Sequence, residues 1–354
     1  MRIHWATRSK NEMKPAFRPY LISAALLLGA LVLSVAVGSV FISPAALLTI
    51  LASQATAAPL PDWVPASFAT IIFSLRLPRT ILMALTGAAL AGSGTAYQGL
   101  FRNPLADPFL IGVASGAGLG AVIAMSVHYP YTTLGLLTIP VAAFTGGAAT
   151  ILIVYELARV RRTLPTTNLI LAGVAVSSFA TAGSSFLMIN GTGELRRALV
   201  WMLGGSTLSG WLPVVALLPY AAVGLGALLL MGHSLNVLQF GDEQAHQLGL
   251  PVERVRLVIV IAATLATASA VAFSGIIGFV GLVVPHILRL VWGGDYRRLL
   301  PLSILGGASF LLTADVLARV ILSPQDLPVG IITALVGAPF FLWVLRRAKQ
   351  QNFW

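Results

Sequence analysis

Cysteine is absent from the 354 residues. That removes disulfides, thiol nucleophiles and iron–sulfur ligation from consideration. Lysine occurs only as Lys10, Lys14 and Lys349, and none of them follows a glycine. A phosphate-binding loop needs a Gly-Lys pair to cradle the phosphates, so the chain does not bind and hydrolyse ATP by that route. The five histidines (His4, His128, His233, His246, His286) are scattered and lack metal-ligand spacing. No catalytic constellation appears, so no cofactor or metal of its own is expected and an enzyme is not. Charge is scarce as well. Only 9% of residues are charged, 57% are hydrophobic and the mean hydropathy is +0.90, whereas a soluble domain carries about a quarter charged residues. The chain reads as an all-α polytopic membrane protein.

What is present divides into apolar runs. A helix crosses the hydrocarbon in about 20 residues, and ten candidate spans fit: 20–42, 80–101, 109–127, 134–157, 168–190, 212–232, 257–273, 276–292, 301–320 and 328–345. The eighth, GIIGFVGLVVPH and its continuation, is as compatible with a broken or re-entrant element as with a simple span. The first run is too long for a signal peptide core and is read as an uncleaved helix. The expected organisation is a basic segment 1–19, one transmembrane domain 20–347 and a tail 348–354. The net charge of +11 fits basic residues crowding cytoplasmic loops better than it fits nucleic-acid binding. With alternating spans and the N-terminus inside, seventeen of the 22 basic residues are cytoplasmic. The other five, Arg76, Arg79, Arg196, Arg197 and Arg319, fall outside. Both termini are therefore expected in the cytoplasm.

The second span is packed with small residues. Gly87, Ala91 and Thr95 form one row, and Ala88, Gly92 and Ala96 another; Gly112, Gly116 and Gly120 continue the pattern in the third span. Helices in lipid associate through such close-approach surfaces, so the second span is expected to be enclosed by other helices. Arg76 and Arg79 bracket Pro78 at what reads as that span's start, where a cation opposes the helix dipole.

Ionisable groups that could couple transport to an ion gradient are few. Asp107, Glu156, Glu194 and Asp326 fall at span ends, and Asp315 lies four residues before Arg319, where a helical ion pair satisfies it. His286 follows Pro285 and is read as a hydrogen-bonded structural histidine, with a proton relay as the alternative. A channel remains, or a permease that borrows energy from a partner. The longest cytoplasmic loop contains DEQAHQLG, which reads as a short helix with Ala245 and Leu248 on one side. Asp242 and Glu243 sit in its first turn, Gly249 is placed to cap it and Pro251 to stop it. Such a helix is a handle for another protein.

The motifs converge on a known family. RLPRTILMALTGAALAGSGTAYQGLFRNPLADPFLIGVASGAGLGA resembles the signature of FecCD-type permeases, the membrane subunits of type II ABC importers for cobalamin, haem and ferric siderophores. So do LILAGVAV, WMLGG, GDEQAHQLG, SGIIGFVGLVVPHILRL, ADVLAR and LPVGIITALVGAPFFLWVLRR, in the family's order. The N-terminal extension and the Leu60–Ser67 segment lie outside the resemblance.

The resemblance implies ten helices per subunit, with spans two to five and seven to ten forming an inverted repeat. It also implies a second permease subunit (a homodimer), two cytoplasmic ATPase subunits carrying ATP and Mg, and a periplasmic or lipoprotein binding protein. The location would be a bacterial or archaeal inner membrane. By position, Arg76, Arg79 and Arg319 match the outer rim that meets the binding protein. Asn103 and Leu105 match a cytoplasmic gate, with Thr166 and Thr167 as its other half. Asp242, Glu243, Ala245, Leu248 and Gly249 match the helix that docks into the ATPase. Arg196 and Arg197 could steer an anionic group such as a haem propionate. An iron chelate, siderophore or haem, is the leading substrate and cobalamin the second. An ion-coupled secondary transporter is the rival from another class.

Overall fold

The computed structural model describes residues 17–38, 40, 42–56, 58–127, 132–160, 164–190, 195–206 and 208–350. The basic residues up to Lys14, together with Arg161, Arg162 and Glu194, lie outside that set. The described chain is all-helical. In order it forms α1 (Arg18–Ala36), α2 (Pro44–Thr56), α3 (Ala66–Thr70), a π-helical turn (Ile71–Arg76) and α4 (Leu77–Leu100). A 3-10 turn (Pro108–Ile111) then leads into α5 (Val113–Met125), α6 (Thr133–Ala158), α7 (Thr166–Asn190), α8 (Leu195–Met202) and α9 (Leu212–Leu230). The rest are α10 (Gly232–Leu238), α11 (Asp242–Gln247), α12 (Val252–Ser274), α13 (Val280–Trp292), α14 (Tyr296–Val320) and α15 (Val329–Gln350).

Each of the ten expected spans coincides with one of these helices. Seven helical stretches among the described residues are long and apolar enough to cross a membrane. The third, eighth and tenth spans fall on shorter apolar helices, Val113–Met125, Val280–Trp292 and Val329–Val344.

α4 is the axis of the bundle. Every residue from Thr86 to Leu100 is buried, enclosed by α9, α12, α13 and α14. Small residues make this enclosure close. A Cβ on Gly87 would lie 2.2 Å from the Gly307 carbonyl of α14, and one on Gly94 would lie 2.1 Å from the Gly281 carbonyl of α13. Gly87 thus marks a real helix contact for the first small-residue row, and Gly92, where a Cβ would lie 2.6 Å from Leu225 of α9, does so for the second. Gly116 and Gly120 do the same for α5 against α6, where added Cβ atoms would strike Thr150 and the Ala142 carbonyl.

The second span does not begin where expected. Helix runs continuously from Ala66 to Leu100, 35 residues, so Arg76 sits well inside it and opposes no N-terminal dipole. The π turn accounts for the difference. The Leu77 amide reaches back five residues to the Ile72 carbonyl, which gives room for Pro78 at the head of α4, where its missing N–H costs little. The preceding helices α2 and α3 close a small outer cluster around Ile42, Leu47, Ile50, Val64 and Ile72.

The eighth span is broken rather than simple. α12 ends at Ser274, Gly275 has φ +75° and Phe279, although not glycine, has φ +69°. The 13 residues of α13 rise about 20 Å, short of the ~30 Å hydrocarbon core. Unwound backbone at that depth must be covered by protein, and it is. A Cβ on Gly275 would meet the Trp201 carbonyl at 2.2 Å, the Gly330 amide donates to Leu203 O at 3.0 Å, and Phe279 packs against Phe341. α5, also 13 residues and also entered through a left-handed residue, Gly112, occupies the corresponding place in the first half. Matching short elements in the third and eighth spans carry the inverted repeat. α4 packing on α14 and α12 packing on α6 carry it too.

Candidate functional site at the two ends of the helix bundle

The end of the bundle where α1 finishes is built on charge. Arg79, in the first turn of α4, donates Nε to Asp315 Oδ1 at 3.1 Å and places Nη2 3.0 Å from the same oxygen. Its Nη1 lies 2.5 Å from Asp326 Oδ2. Arg319 holds the other oxygen of Asp315 from one helical turn away, at 3.0 Å. The i,i+4 pair read from sequence is present, and the two further partnerships of Arg79 bridge 236 and 247 residues of chain. The cluster borders a cavity of about 440 Å3 that also touches Leu82, Met83, Val200 and Gly204.

The three arginines expected at an exposed rim are not alike. The Arg79 side chain is 34% exposed, whereas Arg76 and Arg319 are 7% and 6% exposed and turn inward. Arg76 donates Nη1 to Val35 O and Ala36 O at 2.8 and 2.9 Å, and Nη2 to Val40 O. Arg319 donates to Val37 O and to both oxygens of Ser34, each at 3.0 Å. The orphan carbonyls at the C-terminus of α1 are thereby capped by two guanidinium groups, an arrangement that suits both hydrogen bonding and the helix dipole. As free rim groups, Arg76 and Arg319 need correction: the end of α1 has claimed their donors.

Arg196 and Arg197 stand on α8, which contributes Val200 to the same cavity. Arg196 is exposed and Arg197 partly covered. The sequence reading missed α8 and the role of Asp326. The eight-residue LRRALVWM, with Ala198 and Trp201 buried three residues apart and Arg196 and Arg197 ahead of them, carried an amphipathic signal that could have found the helix.

At the opposite end, α4 stops in a C-capping motif. The Asn103 amide bonds Gln98 O at 3.1 Å and the Arg102 amide bonds Gly99 O at 3.3 Å, with Arg102 at φ +50°. Asn103 Oδ1 then accepts from the Leu105 amide at 2.9 Å, so these two residues form one turn, with Asn103 exposed and Leu105 half-covered. Asp107 caps the following 3-10 turn, its Oδ1 accepting from Phe109 N at 2.8 Å. Burial pushes its carboxyl up to about 6, against the pull of that amide. Thr166 and Thr167 open α7. The 3-10 turn and α7 touch where a Cβ on Gly173 would meet Leu110 O at 2.5 Å.

α11 forms as expected. Asp242 and Glu243 occupy its first turn. Its C-terminus is closed by Gly249 (φ +82°), with Gly249 N to His246 O at 2.9 Å and Leu250 N to Ala245 O at 3.0 Å. Its two apolar side chains do not share a side, however. Ala245 is fully buried against the bundle and Leu248 is 66% exposed. Of the two, only Leu248 is presented outward, as the residue that follows the last turn of the helix.

His286 also departs from expectation. Its Nδ1 finds no hydrogen-bond partner among the described residues. The ring stands edge-on to Phe340 at 5.9 Å, so an aromatic contact holds it.

Residues 26–347 match the FecCD transport family. The chain belongs to that family. It is 41% identical over 335 residues to the uncharacterized ABC transporter permease protein YvrB of Bacillus subtilis (94% of this chain, 95% of the relative). It is 46% identical over 292 residues to the cobalamin import system permease protein BtuC of Halobacterium salinarum (82% and 78%). It is 42% identical over 289 residues to the hemin transport system permease protein HmuU of Yersinia pestis (80% and 85%). Among solved structures, an inward-facing metal-chelate type ABC transporter superposes with TM-score 0.80 and 29% identity, covering 92% of this chain and 98% of that one. The protein is a polytopic ABC importer permease of the FecCD family, a transport component.

Proposed function

We propose that this permease translocates an iron chelate, a ferric siderophore or haem, from a binding protein at its outer mouth into the cytoplasm of the cell. The energy comes from two ATPase subunits that carry ATP and Mg and dock on α11. The observation that carries this reading is the pairing of opposite ends: a charged outer cavity around Arg79 and a capped cytoplasmic helix offering Leu248. On this reading Arg79 meets a carboxylate of the binding protein directly, while Arg76 and Arg319 hold the rim in shape. Asp242, Glu243, Leu248 and Gly249 form the ATPase contact with Ala245 as its seat. The turn of Asn103 and Leu105 closes the inner mouth against Thr166 and Thr167. Arg196 and Arg197 steer an anionic group toward the cavity. Both termini lie in the cytoplasm, and the membrane is the inner membrane of a bacterium or archaeon.

A second copy of the chain completes the pathway. α7 exposes Phe179, Phe186 and Ile189. On the same helix Ser177, Ser178, Thr181 and Ser185 join Ser115 of α5 to line a groove of about 610 Å3. These hydroxyls lie among Phe109, Leu110, Val174 and Ala182, and small polar groups of this kind suit a face between subunits better than a lipid face. Cobalamin is the second substrate reading, favoured by the 46% identity to a cobalamin import permease. The test is uptake into proteoliposomes holding the permease, its ATPase and its binding protein, offered ferric siderophore, haem and cobalamin in turn. ATP-dependent uptake of an iron chelate supports the first reading, and uptake of cobalamin alone replaces it with the second. Uptake driven by a proton or sodium gradient in the permease alone overturns both.

A further inference from the structure

Arg256 lies in the second turn of α12 and is 4% exposed. Its fork reaches three segments. Nη2 donates to Asp242 Oδ2 at 2.9 Å, on the first residue of α11. Nη1 donates to Leu164 O at 2.9 Å, two residues before α7 begins at Thr166. The same Nη1 lies 3.3 Å from Glu253 Oε1, which belongs to α12 itself. Nε is buried with no hydrogen-bond partner, so the side chain is held through its terminal nitrogens alone. The surroundings are close-packed: Leu164, Ala245, Val252 and Val255 are buried in one cluster.

We infer that Arg256 is a positioning residue that ties α11 to the cytoplasmic entrance of α7, so that a displacement of α11 is passed to the inner mouth. A lone anchor of α12 would need only Glu253, which is on its own helix. Instead, the two shortest contacts go to the segments that begin α11 and precede α7. The task needs arginine, because a planar fork can hold a carboxylate and a carbonyl at once, whereas an ammonium offers one compact charge. The coupling is physical and local: one side chain and two hydrogen bonds that join two segments. The inference rests on α11 being the ATPase contact, and the two ideas fail differently.

The absence of native cysteine allows a clean distance measurement. Spin labels at Gln247→Cys and Thr167→Cys, both exposed positions, report the separation of α11 from the start of α7. They are read by double electron–electron resonance in the full chain alone and in its complex with the ATPase, without nucleotide and with ATP and vanadate. With Arg256 present, the expected distribution is narrow and keeps its peak in both nucleotide states. With Arg256→Gln it is expected to widen roughly twofold in the chain alone and to shift with nucleotide in the complex, as loss of a coupling of ordinary size would produce. Arg256→Lys keeps the charge without the fork and is expected to fall between them. It also serves if Arg256→Gln does not assemble. Wild-type distributions for both variants in all states would overturn the link. If Leu248→Glu leaves ATPase association intact, the reading of α11 as the ATPase contact fails. The widening in the chain alone still decides the link itself.

Discussion

The two ends of the bundle use charged groups in opposite ways. At the end where α1 finishes, Arg76 and Arg319 are buried and their donors are consumed by the last carbonyls of α1, while Asp315 sits between Arg79 and Arg319. At the opposite end α11 is seated on Ala245, and Asp242 is half-exposed and shared with Arg256. The first set of charges holds a rim rigid; on the proposed reading, in which the rim faces outward and α11 the cytoplasm, the second holds a small helix that can be pushed. Exposed pairs contribute little to stability and buried ones are costly to break, so substitutions at the two ends should fail in different currencies: stability outside, coupling inside.

The largest effect expected tests the rigid end. Asp315→Ala leaves two guanidinium groups near one another with their shared carboxylate gone. Breaking a buried pair costs about 3–5 kcal/mol, and the melting temperature in detergent should fall accordingly. Arg76→Glu should act in the same direction by uncapping α1. Near-wild-type melting for both would mean that the rim does not depend on its ions.

The next effect separates the two faces of α11. Ala245→Glu forces a carboxylate into a filled site and should unseat the helix, at about 2–4 kcal/mol for an unpaired buried charge. Leu248→Glu, on the exposed face, should leave melting within about 0.5 kcal/mol of wild type while abolishing co-purification of the ATPase. Equal behaviour of the two variants would erase the distinction between seat and contact.

A smaller effect is expected at the one rim arginine with a solvent-facing side chain. Arg79→Glu should weaken binding-protein docking roughly tenfold at low ionic strength, and by less at high salt, because rim charges act mainly on association. Docking by surface plasmon resonance across a salt series would read this. Unchanged docking at low salt would remove Arg79 from the interface.

What was legible in the sequence follows from which forces are local. Span positions came from hydropathy, and the enclosure of α4 from glycine and alanine rows, because both signals repeat along one helix. The cap of α11 came from Gly249 and Pro251, again within one turn. Apart from the Asp315–Arg319 pair, which lies within one turn, the partners of Arg76, Arg79 and Arg319 did not, since each lies hundreds of residues away or on the end of α1. The start of the second span was misplaced because a proline flanked by arginines signals a helix boundary unless a π turn accommodates it. Ala245 and Leu248 were put on one side because spacing of three suggests one helical face. Leu248 comes just after the helix ends at Gln247 and finds no neighbour among the described residues to cover it as Ala245 does.

The smallest effect contrasts two carboxylates. Asp315 is held between arginines, whereas Asp107, in the loop after α4 and outside the spans, has the Phe109 amide and no guanidinium among its described partners. Burial raises its carboxyl to about 6, above the ~3.9 of an unfolded chain. A group raised on folding binds its proton more tightly in the folded state. Its contribution to stability is full below about pH 4 and is lost as the pH rises through 6. At pH 7 the ionised form should cost on the order of 1–2 kcal/mol, after allowance for partial solvent access. Asp107→Asn keeps an acceptor for the Phe109 amide and removes the titration. The variant should therefore match wild type near pH 4 and melt higher near pH 7, the gap opening between about pH 4 and 6. Parallel melting curves for the two proteins across that range would show that Asp107 is as well accommodated when charged as Asp315 is between its arginines.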